Sequence, residues 1–198
     1  LPAGSEIQVG YAEASDIFGA GGGTLDLGQG VTTTVDDTAL IVRTTLAGDA
    51  DLMARLVLDR MQPVWASGRV DTALRWMTWF DQGHGIERYP AIAAHGALIF
   101  ALLGQSAETE RLAAIAEHAP PTATLPDGST MGGLLAYLRA ILARDGVEAM
   151  RHDARQGFDE LPLTSPYRAT MLHTEAVSHL LDGEPELADP IFANAVHH

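Results

Sequence analysis

Four glycines at near-regular intervals constrain this chain more than any other feature. Gly68, Gly104, Gly146 and Gly183 each close one amphipathic stretch and open the next, at intervals of 36, 42 and 37 residues. Glycine in the left-handed conformation is a common end for a helix, and two-helix units repeat every ~34–47 residues, so the spacing predicts a series of antiparallel helical hairpins. The middle interval is longest because Pro120 to Gly128 (PPTATLPDG) adds a loop between hairpins.

The stretches between these glycines carry the helical period. One helix is expected from about Asp49 to Ser67, with Pro63 as a kink point, and another over Val70–Asp81 with Leu74, Trp76, Met77 and Phe80. Ile92, Gly96, Ile99 and Leu103 form a stripe; Ser106 is placed to cap a helix that turns Leu112, Ile115 and Ala116 inward. Leu134, Leu138 and Ile141, then Val147, Met150, Ala154, Phe158 and Leu161, mark the third pair. Ser165-Pro166 reads as a helix start leading to Ala169, Leu172, Ala176 and Leu180, and Leu187, Ile191 and Ala195 complete the fourth pair. Ahead of them, Asp36 and Asp37 would supply N-terminal negative charge to a helix reaching about Ala47.

Residues 1–35 differ, holding eight of the 20 glycines before position 31. Thr24 to Val35 has β-branched character broken by glycine; a short hairpin fits it, and a Gly-rich linker or irregular segment fits better. The domain division is therefore residues 1–35 and a helical-repeat domain over 36–198.

Composition removes whole classes of function. All 12 basic residues are arginine against 26 acids, the formal charge is −14, and there is no cysteine. Disulfide frameworks and cysteine zinc sites are excluded. Without lysine a P-loop is excluded, and Gly19 to Gly23 has neither the preceding strand nor the lysine of a phosphate loop. Arg139 to Arg155 is the densest basic segment and is interleaved with Asp145, Glu148 and Asp153, so direct nucleic-acid binding is not expected. No secretory leader or membrane span is visible, since the longest uncharged stretch, Tyr89 to Ala107, is broken by Pro90, His95 and Gly104. A cytoplasmic chain is expected, and the lack of an initiator Met with the His197-His198 ending suggests a piece of a longer protein.

Neither a metal, a cofactor nor a catalytic group stands out. His173 and His179 are six apart on one helix, about 120° from a shared face. Gly128 to Gly132 (GSTMG) lacks the strand-turn-helix setting of a nucleophile elbow. Asp36-Asp37 has no third Asp at the offset of a diphosphate-binding motif. Trp65, Trp76 and Trp79 read as core ahead of an exposed aromatic platform.

The repeat resembles the tetratricopeptide unit, which sets small residues seven before the turn glycine and five and twelve after it. Ala176, Ala188 and Ala195 fit in the last unit, with Phe192 at the aromatic position; Ala97 and Ala116 fit in the second and Ala73 in the first, while the third fits only if its turn shifts by one. Ala47 to Val57 (AGDADLMARLV), Gly68 to Trp76 (GRVDTALRW), Tyr89 to Ile92 (YPAI), Leu103 to Arg111 (LGQSAETER) and His179 to Gly183 (HLLDG) are similar to the helical-repeat region of MalT-like, LuxR-family regulators. The resemblance spans about residues 36–196.

It implies an all-α right-handed α-solenoid, with a STAND-type ATPase module before it and a helix-turn-helix domain after it. This part would be a non-enzymatic regulatory module sensing a small-molecule effector or a protein partner, with homo-oligomerisation left open. A free-standing adaptor and an unrecognised helical enzyme are the alternatives. The family's inner face lies three, six, ten and thirteen residues before each turn glycine. That rule selects Arg55, Leu58, Gln62 and Trp65 in the first unit and Thr170, His173, Val177 and Leu180 in the last. In the second unit it selects Ala91, Ala94, Leu98 and Ala101, a small apolar face suited to a helix or apolar ligand, or equally to bundle core.

Overall fold

The computed structural model describes residues 22–26, 32–36, 49–126, 128–165 and 167–196. The chain divides into two compact units, 1–84 and 85–198.

In the first unit, β1 (Gly22–Asp26) pairs antiparallel with β2 (Thr32–Asp36), Gly22 opposite Asp36 and Asp26 opposite Thr32. The β-branched run Thr32 to Val35 favours the extended backbone. The paired strands match the short-hairpin alternative at these ten residues, the rest of residues 1–35 lying outside the described residues, and Asp36 ends a strand instead of opening a helix. The rest of the helix expected up to Ala47 lies outside the described residues.

Helix α1 (Ala50–Ala66) begins at Asp49, whose carboxylate accepts from the Leu52 amide at 3.0 Å, and it runs through Pro63. Met53, Val57, Met61 and Val64 recur at helical spacing and are buried. Gly68, at φ 73°, ends the turn with its amide donating to the Trp65 carbonyl at 2.9 Å. Helix α2 (Val70–Asp81) buries Ala73, Trp76, Met77 and Phe80 on one face, each large side chain contributing about 1.5–3 kcal/mol of burial. His84 closes it: Nδ1 donates to the Trp79 carbonyl at 2.7 Å while the ring stacks 3.7 Å from the Trp79 indole.

The second unit opens with a 3-10 turn, Ile86–Arg88, and continues as α3 (Pro90–Leu102), α4 (Ser106–Glu117), α5 (Met131–Leu142), α6 (Val147–Glu160), α7 (Tyr167–Leu181) and α8 (Pro185–Ala195). These form three antiparallel hairpins, α3–α4, α5–α6 and α7–α8. The first helices also meet in sequence, α3 against α5 and α5 against α7, and α6 packs along α7. Among the described residues from 49 to 196 the regular elements are eight α-helices and the 3-10 turn.

Gly104, Gly146 and Gly183 adopt φ of 72°, 89° and 77°, which a side chain would oppose, so glycine occupies each hairpin turn. Two local readings change. Gln105, not Ser106, precedes α4, and no side chain caps that helix. The α5–α6 turn contains a second left-handed residue, Ala143 at φ 46°, which ends α5 three residues before Gly146. Pro166 lies outside the described residues. Among those described, no helix is long and apolar enough to cross a membrane.

Candidate functional site

The positions selected three to thirteen residues before each turn glycine behave in two ways. In α3, Ala91, Ala94 and Leu98 are buried and Ala101 is half-buried. In α5 the corresponding Gly133, Ala136 and Ala140 are buried and Ala143 half-buried. Ala140 belongs to a core cluster with Ala154 of α6, Leu161 at the end of that helix and Met171 of α7, so its own hairpin and the following one both close over it. The small apolar residues of the second unit are therefore core.

On α7 the same positions are open: Thr170 and Val177 are half-buried, His173 and Leu180 exposed. On α1, Arg55 is exposed and Leu58, Gln62 and Trp65 are half-buried along one side of the helix. The six residues singled out for a ligand face fall into two sets, four in the first unit and Thr170 with His173 in the second.

The seating of α7 explains which side it leaves open. Gly157 of α6 provides a notch, since a Cβ there would lie 2.8 Å from Met171 Sδ. Arg155 pairs with Glu175, and Arg151 donates to Ser178 Oγ at 3.0 Å and to Asp182. His179 Nδ1 lies 2.8 Å from the Glu184 carboxylate across the α7–α8 turn. These contacts occupy the sides of α7 facing α6 and α8. Neither His173 nor Val177 takes part in these polar contacts, and the exposed His173 ring sits 5.3 Å from Phe192 of α8.

Two groups escaped sequence reading because their partners are distant along the chain. Arg168 is buried with no carboxylate partner among the described residues; it donates to the Phe158 and Leu161 carbonyls at the end of α6 and lies over the Phe158 ring at 3.8 Å. A cation at a helix C-terminus meets the negative end of the dipole, which offsets part of its desolvation. Tyr137 of α5 stacks on Tyr167 of α7 at 4.8 Å, and Tyr167 lies 6.4 Å from His95 of α3, so one aromatic file joins three first helices. Burial pushes the Tyr137 phenol up to about 12, because the phenolate would lose its hydration.

The remaining sequence candidates are structural. Thr130 of the GSTMG segment caps α5, accepting from the Gly133 amide at 3.0 Å and donating to Glu160 at 3.1 Å. Trp76 is core, while Trp65 and Trp79 are half-buried. His179 is buried and paired whereas His173 is exposed, and among the described residues no group of three or more His, Cys, Asp or Glu could hold a metal ion. A surface dent between α4, α5 and α6 is lined by Glu117, Arg139, Arg144, Asp145 and Asp153, but its arginines are engaged, Arg139 with Asp153 and Arg144 with Glu110 and Glu117. No protein-family model matches the chain, and no curated protein matches it.

Proposed function

We propose that this chain is a non-enzymatic regulatory binding module: a tetratricopeptide-like, right-handed α-solenoid that senses an effector for a LuxR-family transcription regulator in the cytoplasm. The observation that carries the binding role is the change in one register. The face that is small and buried in α3 and α5 becomes open and mixed in character on α7, with Thr170, His173, Val177 and Leu180 accessible. The succession α3, α5, α7 along one side supports the solenoid. The placement within a MalT-like regulator rests on the sequence segments quoted above.

In this reading a small molecule or protein domain docks on the open face and biases how the repeats meet neighbouring ATPase and DNA-binding modules, acting through its preference for one arrangement. The complete reading frame is expected to encode a P-loop module upstream and a helix-turn-helix downstream; a frame without either overturns the regulator assignment. His173→Ala on the α7 face and, separately, Arg55→Ala on the α1 face are each made alone in the full-length regulator, and His173→Ala is expected to abolish effector-dependent transcription while leaving its melting curve unchanged. An unaltered response refutes the face assignment.

A further inference from the structure

Three of the four hairpin turns close in one way. The turn glycine is left-handed, and the residue after it donates back to the carbonyl five earlier: Arg69 to Val64, Gln105 to Phe100 and Glu184 to His179. The α5–α6 turn departs from this. Its left-handed residue at the helix end is Ala143, at φ 46° and ψ 35°, and Arg144 and Asp145 come between it and Gly146. Among the described residues no other non-glycine has a positive φ. A Cβ in that region persists where the surroundings over-determine it.

Arg144 supplies the constraint. Its Nε and Nη2 hold the two oxygens of Glu110 at 3.1 and 2.8 Å, and its Nη1 holds Glu117 at 2.8 Å. The two acids are seven residues apart, so they lie on one face of α4, and a forked grip on both fixes the direction of the guanidinium. Arg139, earlier on α5, binds Asp153 and Gln156 of its own hairpin, whereas Arg144 reaches across to the preceding one. The junction it crosses is thin. It rests on α3 against α5, since α4 barely meets α5, while at the next junction α6 packs along α7. The dent lined by Glu117, Ala143, Arg144 and Asp153 leaves the turn room to move.

We propose that Arg144 is an electrostatic latch and the α4–α5 junction the hinge it controls. Closed, the latch ties the α5–α6 turn to α4 and holds Ala143 left-handed. Released, the turn relaxes and the α3–α4 hairpin swings about the α3–α5 contact. Glu110, Glu117 and Arg144 all reach solvent, at side-chain exposures of 60%, 37% and 29%, so salt screens the grip. The device goes beyond the binding role and stands whichever face takes the effector.

The test is amide hydrogen exchange, followed by NMR on the whole chain, in the wild type and in Arg144→Gln. The Ala143 and Gly146 amides, which bond to the Arg139 and Ala143 carbonyls, and the amides of α4 should exchange about fivefold faster in the variant, with α7 unchanged. Salt at about 1 M should quicken the same amides in the wild type and leave Arg144→Gln nearly unaffected. Urea denaturation reads the strain separately. Ala143→Gly should raise the midpoint of the wild type but not that of Arg144→Gln, where the turn has already relaxed. Unchanged exchange in Arg144→Gln, acceleration spread equally over all three hairpins, an equal salt response in the variant, or a midpoint raised in both backgrounds or in neither would each overturn the latch.

Discussion

Six residues before its closing glycine α5 carries Ala140, enclosed by Ala154, Leu161 and Met171; six before its own, α7 carries Val177, half-buried with exposed His173 and Leu180 alongside. Both helices begin a hairpin, both are followed by a turn glycine at positive φ, and both pack along the helix that follows. They differ in what lies beyond: α7 covers α5, and among the described residues α7 packs only against elements on its other sides. Side-chain chemistry follows this difference. The buried register of α5 is Gly133, Ala136 and Ala140, with Gly133 close to Glu160 of α6; the accessible register of α7 is Thr170, His173 and Val177.

The largest effect that could break this contrast is a buried charge. Ala140→Asp places a carboxylate in an apolar cluster with no partner, and the unpaired group should cost about 4 kcal/mol, enough to abolish cooperative unfolding or lower the urea midpoint drastically. Val177→Asp, at the matching position of α7, should cost about 1 kcal/mol because its carboxylate stays hydrated. Similar losses in the two variants would mean that the α7 face is covered, and the difference between the hairpins would vanish.

A second, smaller effect reads the same burial through protonation. Tyr137 lies on the covered side of α5 beneath Tyr167, and its pKa is raised from 10.0 to about 12 by burial. The folded phenol therefore holds its proton more tightly than the unfolded one. Stability is unaffected below about pH 10 and should fall between about pH 10 and 12, by about 2 kcal/mol for a shift of this size. Urea denaturation along that range is expected to show the decline in the wild type and a flatter profile in Tyr137→Phe. Identical slopes would place the phenol in water and contradict a desolvated α5–α7 seam.

Much of this architecture is legible in local sequence, because helix ends and helix faces are local properties. Val70–Asp81 emerges with the bounds its pattern predicts, and the four turn glycines occupy the left-handed conformation their spacing implies. The difference between covered and open faces is also written in residue size, Ala91, Ala94 and Leu98 against Thr170, His173 and Leu180, although small apolar residues alone do not distinguish a groove from a core. What is not legible depends on pairing across distance. Arg168 reads as an ordinary exposed arginine until α6 ends beside it, and nothing local links His95 and Tyr137 to Tyr167. The Ser106 cap misleads because Gln105 takes the position before the helix. The paired strands at 22–26 and 32–36 are obscured by the glycines around them.

The smallest effect concerns the two turns. The α5–α6 turn uses Ala143 at φ 46°, where a Cβ costs about 1 kcal/mol or more, whereas the α7–α8 turn uses Gly183 at φ 77°. Ala143→Gly removes that strain but loosens the unfolded chain, so a net gain of about 0.5 kcal/mol is expected. Gly183→Ala should lose about 1 kcal/mol. An added Cβ at Gly183 meets nothing within 4 Å, so its cost comes from backbone conformation and not from a clash. For a chain of this size, about 2–4 °C accompanies each kcal/mol, so melting points should move by about 1–2 °C upward and 2–4 °C downward. The opposite signs matter more than the sizes. If Ala143→Gly also destabilises, Ala143 is not strained, and the middle turn is as relaxed as the last; the hairpins would then differ only in what covers them.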